Sequence, residues 1–205
     1  MKKFELTNEF ITNMFGTKLF RIRALVEFGN VEAGELGGYV EKESNLGHDD
    51  NAWVYDNAWV YGDAQVSGDA RVYGNARVYD NARVCGNALV YDNAWVYDNA
   101  WVYGNAQVSG DARVCGDARV CGNGDYAYAH GFGSVNRTTT FFRLKDGGVG
   151  VRCGCFYGTL AQFRDKIRET HGETKKAQEY LMLADLMELR FEEDENEVGN
   201  RKYVE

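Results

Sequence analysis

The sequence predicts a mainly β protein: a parallel β-helix of about four coils, an N-terminal β cap and a small α+β C-terminal region. Three observations predict it. Valine occupies position 54 and every sixth position to Val120, twelve in all. Alanine stands two residues before each, from Ala52 to Ala118. Each unit ends on Gly or Asp followed by Asn or Asp. Two apolar residues around one variable residue make a short strand with one buried face. Gly, Asn and Asp tolerate the left-handed backbone conformation of a sharp corner. Strand and corner at a fixed short period stack into a β-helix. At three units per turn, twelve units give four coils. A strand spacing of about 4.8 Å makes that prism roughly 19 Å tall. Valine suits the wall centre of so narrow an interior, and only alanine fits near the corner.

The elements follow in order. Residues 1–47 do not repeat; "TKLFRIRALVEF" reads as strand, and "EAGELGGYVEKESNLG" leads into the first coil. This segment is expected to cap the open strand edges of that coil. Residues 48–135 hold the coils, which decay through "CGNGDYAYAHGFGSVNR". Residues 136–191 read as ββαα. "TTTFFRLKDGGVGVRCGCFYG" is a hairpin turning at Asp146-Gly147-Gly148. "TLAQFRDKIRETHG" is a helix capped by Thr159, with Gln162 three residues on and Gly172 as its stop. "TKKAQEYLMLADLMELRF" is a second amphipathic helix, with Ala177, Tyr180, Leu181, Ala184 and either Leu186 or Met187 inward. Residues 192–205 form an acidic tail.

Residues 18 apart should stack, which sorts the variable positions onto three walls. The first carries Trp53, Arg71, Leu89 and Gln107. The second carries Trp59, Arg77, Trp95 and Arg113, flanked by Tyr61, Tyr79, Tyr97 and Cys115. The third carries Gln65, Arg83, Trp101 and Arg119. Alternating Trp and Arg suit cation–π stacking at about 0.5–1 kcal/mol per exposed pair. So many outward aromatics mark an interface, and the expected interface residues are Trp53, Trp59, Tyr61, Arg77, Tyr79, Trp95, Tyr97, Trp101 and Arg113. At the corners, Asn57, Asn75 and Asn93 share a column that permits an amide ladder. Residues 51–72 and 93–114 are identical except Asp63 against Asn105. The offset is seven units, so the copy starts on a different wall, which suits a scaffold better than an inherited catalytic surface.

The units resemble the hexapeptide repeats of left-handed β-helices, although Gly comes one residue later than in that pattern. With the segment that precedes them, they resemble a group of phage, prophage and bacterial hexapeptide-repeat proteins, some labelled transferases on fold alone. That resemblance covers about residues 19–122. The segment with "CGCFYGTLAQF" and "THG" resembles a piece found in phage-encoded proteins. The resemblance implies a left-handed coil and a homotrimer. It also implies a phage or prophage accessory role, in one version directed against host defence.

Composition bounds the rest. The net charge of −8 disfavours nucleic acid, which rewards Lys and Arg. No long apolar run follows "MKKFELTNEFITNMFG", so neither a signal peptide nor a membrane span is expected. Five scattered cysteines suit a reduced, cytoplasmic protein, in the host cytosol if phage-encoded. Cys153, Cys155 and His171 are weak candidates for a metal site lacking a fourth ligand; a thiol-lined core face is the plainer reading, and no cofactor is expected. The coils contain no histidine. If the chain is an acyltransferase-like enzyme, the base is His130, at the end of the coils. The expected function is non-catalytic binding of a host protein or small ligand, with that enzyme and a structural, polymer-forming scaffold as alternatives.

Overall fold

The computed structural model describes residues 2–133 and 136–192. The acidic tail expected over residues 192–205 lies outside them, save for Glu192. The chain opens with an antiparallel meander of β1 (Phe4–Thr12), β2 (Lys18–Ala24) and β3 (Leu36–Val40). Twelve two-residue strands follow, β4 (Trp53–Val54) to β15 (Arg119–Val120), one in each repeat unit. Every third strand pairs in parallel, giving three walls of four strands each. The registers match the sequence: Trp53, Arg71, Leu89 and Gln107 align, as do Trp59, Arg77, Trp95 and Arg113. Gln65, Arg83, Trp101 and Arg119 align on the third wall.

All the repeat alanines and valines are buried, none more than 1% exposed. Their backbones hydrogen-bond coil to coil, as from Trp59 N to Ala76 O at 2.9 Å and from Tyr61 N to Val78 O at 3.0 Å. The corner residue after the outward flank takes a positive φ in every unit but the last: 72° at Gly68, 58° at Asp80, 57° at Asp98. The aspartates there also accept from the next coil, Asp56 from Gly74 N at 3.1 Å and Asp98 from Gly116 N at 3.2 Å. This is why Gly and Asp interchange at that corner and bulkier residues do not.

The solenoid has about five turns, because stacking begins before the repeat does. Within the segment assigned to the cap, Tyr39 and Val40 already pair with Trp59 and Val60, and Leu46 bridges Val66. Gly37 and Gly38 allow it: a Cβ on either would lie 2.6–2.7 Å from a carbonyl oxygen of the coil above. The buried Asn45 satisfies that coil's open carbonyls, donating to Gly62 O and Ala64 O at 3.1 and 2.8 Å.

At the other end stands an antiparallel sheet in the order of β16 (Tyr126–Phe132), β17 (Arg137–Arg143), β18 (Val149–Cys153) and β19 (Phe156–Thr159). It is backed by α1 (Leu160–His171) and α2 (Lys175–Phe191). The expected hairpin is β17–β18, and the expected caps of α1 are present. Thr159 accepts from Gln162 N, Gln162 accepts from Thr159 N, and Gly172 ends the helix. In α2, Ala177, Tyr180, Ala184 and Met187 face inward while Leu186 is exposed. Two further strands, β16 and β19, flank the expected pair; β16 comes from the decaying repeat. β17 is the seam between two cores. Phe142 joins the solenoid core and Phe141 the helix-backed core, while Arg113 N donates to Thr140 Oγ1 at 2.9 Å. The last coil's edge is thereby covered.

Candidate functional site: a cleft beside the Trp–Arg wall

The second wall carries a ladder. The Arg77 guanidinium lies 4.2 Å from the Trp59 ring and 5.0 Å from the Trp95 ring, and Arg113 covers Trp95 at 4.7 Å. The one-coil register sets these residues directly over one another. Beside it runs a stack of phenols, Tyr61 on Tyr79 and Tyr79 on Tyr97, each at 5.0 Å and nearly coplanar. Burial raises the pKa of Tyr61, Tyr79 and Tyr97 above the ordinary phenol value. Tyr97 is the most covered: Arg152 lies over its ring at 5.9 Å and its hydroxyl donates to Cys115. Burial likewise pushes the Cys115 thiol up to about 11.

Between this wall and the C-terminal sheet lies a cleft of about 560 Å³. Arg77, Trp95 and Arg113 form its floor, with the corner column Asn75, Asn93 and Asp111 beside them. Of the expected Asn57, Asn75 and Asn93 column, the ladder runs from Asn75, which donates to Asn93, and on to Asp111, which accepts from Asn93, at 3.4 and 3.2 Å. The opposite lip is His130, Asn136, Arg137, Thr138 and Gly154. His130 Nδ1 is 2.8 Å from Thr138 Oγ1 and 3.9 Å from Asp111 Oδ2. Arg137 packs over Gly154, where a Cβ would come within 1.9 Å of its guanidinium.

The structure thus gathers Trp95, Arg77, Arg113 and His130 at one place, with Trp59, Tyr61, Tyr79 and Tyr97 in the stacks around it. Other expected residues lie elsewhere. Trp53 is not an interface residue: it is fully buried under Phe4 and Phe28, at 6.2 and 5.3 Å between rings. The cap folds over the first wall and is anchored there by the buried Lys3, which donates to Asp50 O and Ala52 O. Trp101 stands on the third wall between Arg83 and Arg119, at 4.9 and 4.6 Å, and is 36% exposed. Cys153, Cys155 and His171 form no ligand set. Cys153 accepts from Thr139 Oγ1, Cys155 is exposed past the end of β18, and His171 stacks on Tyr180. Among the described residues no group of three or more His, Cys, Asp or Glu could hold a metal ion. Reading the sequence alone misses Arg137, Thr138 and Gly154, since only the docking of β17 and β18 brings them to the wall.

The molecule is therefore a mainly β solenoid with a small C-terminal helical region. A family model described as the YdcK beta solenoid repeat matches residues 64–80, 70–85, 76–89, 82–98, 94–110 and 106–122. All of these lie in the coils, so the likeness covers the scaffold and neither the cap nor the far lip of the cleft. No curated protein matches the chain. Among the described residues no helix is long and apolar enough to cross a membrane.

Proposed function

We propose that the protein is a non-catalytic binding protein, and that its binding site is the cleft beside the Trp–Arg wall. One observation carries this reading. A ladder of guanidiniums held by indole faces lines a cleft of about 560 Å³, a volume ordinary for small-ligand sites. The wider role is that of a phage or prophage accessory factor acting in the host cytosol, with a left-handed coil and a homotrimeric assembly; the hexapeptide-like repeats support these points. The third wall, with Trp101 between two arginines, offers the uncovered face for assembly. Native mass spectrometry of protein purified from host lysate tests the reading. Wild type is expected to carry a bound ligand that Trp95→Glu loses while keeping its circular dichroism spectrum. A ligand retained by Trp95→Glu would overturn it.

A second reading has an observation of its own. His130 faces the same cleft with Asp111 and Thr138 as partners, which is how a general base is oriented. On that reading the chain is an acyltransferase-like enzyme. Acetyl-CoA affinity together with loss of activity in His130→Ala would favour it, whereas intact activity in His130→Ala favours binding.

A further inference from the structure

The chain carries a net charge of −8, yet the cleft sets three guanidiniums, Arg77, Arg113 and Arg137, against a single carboxylate, Asp111. Among the described residues none of the three has a carboxylate oxygen within 4.0 Å, and none of their side chains donates a hydrogen bond to protein. Asp111 lies instead near His130 and accepts from Asn93. Arg119 on the third wall is different: its guanidinium donates to Asn99 O and Ala118 O at 3.0 and 2.8 Å.

Stacking decides how the cleft arginines can be used. Arg77 has an indole on each side, so both its faces are occupied, and Arg113 has one face against Trp95. What remains is the rim of N–H donors, the part of a guanidinium that matches carboxylate and phosphate oxygens. The indoles above and below Arg77 also restrict that side chain, so less freedom is lost on binding than from an isolated surface arginine. Trp95, clasped between two guanidiniums, has no free face for a flat ring. Arg137, from the opposite lip, is held by none of these stacks and packs over the bare backbone of Gly154.

We propose that the cleft is an oxyanion site, taking a small multivalent anion, phosphate or carboxylate, through the guanidinium rims of Arg77, Arg113 and Arg137. This rests on the reading of the cleft as a binding site and names its ligand class. The cleft has room for more than a bare phosphate, so the anion is expected to be the head of a larger molecule.

Isothermal titration calorimetry with inorganic phosphate, inorganic pyrophosphate, citrate and adenosine monophosphate at low salt tests this. Pyrophosphate and citrate are expected to bind, more weakly as salt rises. Tighter binding of adenosine monophosphate than of inorganic phosphate would assign the source to a nucleotide, and equal binding to the free anion. Arg137→Met is expected to weaken pyrophosphate binding roughly tenfold to a hundredfold, the span of a lost charged hydrogen bond. Because Arg137 stands outside the ladder, its replacement keeps the test open even where Arg113→Met fails to fold. Arg71→Met, exposed on the first wall, is the control and should change nothing. Absence of binding by every oxyanion, or equal losses in Arg137→Met and Arg71→Met, would overturn the proposal. If the ligand retained from lysate proves uncharged or cationic, the anion assignment falls and the binding reading stands. If wild type retains no ligand at all, the binding reading itself fails.

Discussion

At the residue scale, four copies of "NAWVY", at 51–55, 57–61, 93–97 and 99–103, give tryptophans different fates. Trp53 is fully buried and Trp101 is 36% exposed. Local sequence cannot separate them, because what differs is the tertiary cover: the cap closes over Trp53, and arginines flank Trp101. Trp53→Ala is therefore expected to cost about 3–5 kcal/mol and Trp101→Ala less than about 1 kcal/mol, as read from chemical denaturation. A similar contrast separates adjacent positions on one strand. Val84 is fully buried and Arg83 is exposed. Val84→Asp forces a charge into an apolar interior and should unfold the coils, whereas Arg83→Asp should leave the circular dichroism melt within a few degrees of wild type. Equal losses would contradict the assignment of inward and outward faces.

At the element scale, the corners and the phenol stack each make a demand. Gly68 has a φ of 72°, and a Cβ there would lie 2.9 Å from Gly86 N. Gly68→Ala is expected to cost about 1–2 kcal/mol from the backbone conformation alone, measured as a shifted denaturation midpoint, with more from the contact. The stacked phenols titrate higher in the folded chain than in the unfolded one, where the ordinary value is 10.0. As pH climbs past that value the unfolded chain releases protons that the folded chain keeps. Their contribution to stability is therefore whole below about pH 10 and is lost above it. Urea midpoints should drop as pH rises beyond about 10, with a smaller drop in Tyr79→Phe; an unchanged drop would mean the stack is not the cause. The helices and the β17–β18 hairpin were legible because caps and turn residues are local signals. β16 and β19 were not. β16 follows directly on the fading repeat and shares its small and aromatic residues, and β19 spans only Phe156–Thr159, whose pairing with β18 is a tertiary matter.

At the scale of the whole molecule, a fixed period made the coils and all three wall registers readable, since the register of a solenoid is arithmetic. The Trp–Arg ladder was readable for the same reason. The cleft was not, because half of it comes from a unit with no periodic relation to the coils, docked through Phe142, Thr140 and Arg113. The central claim, that this cleft is an oxyanion-binding site, has a built-in set of reporters: the four tryptophans. Trp53 sits in the core, Trp59 lower in the ladder, Trp95 on the cleft floor and Trp101 on the third wall. Heteronuclear NMR of the indole N–H groups, during titration with inorganic pyrophosphate, reads all four at once. The predicted result is a saturable shift of the Trp95 signal while those of Trp53 and Trp101 stay in place. A shift confined to Trp101, or four signals unmoved at millimolar pyrophosphate, would contradict it.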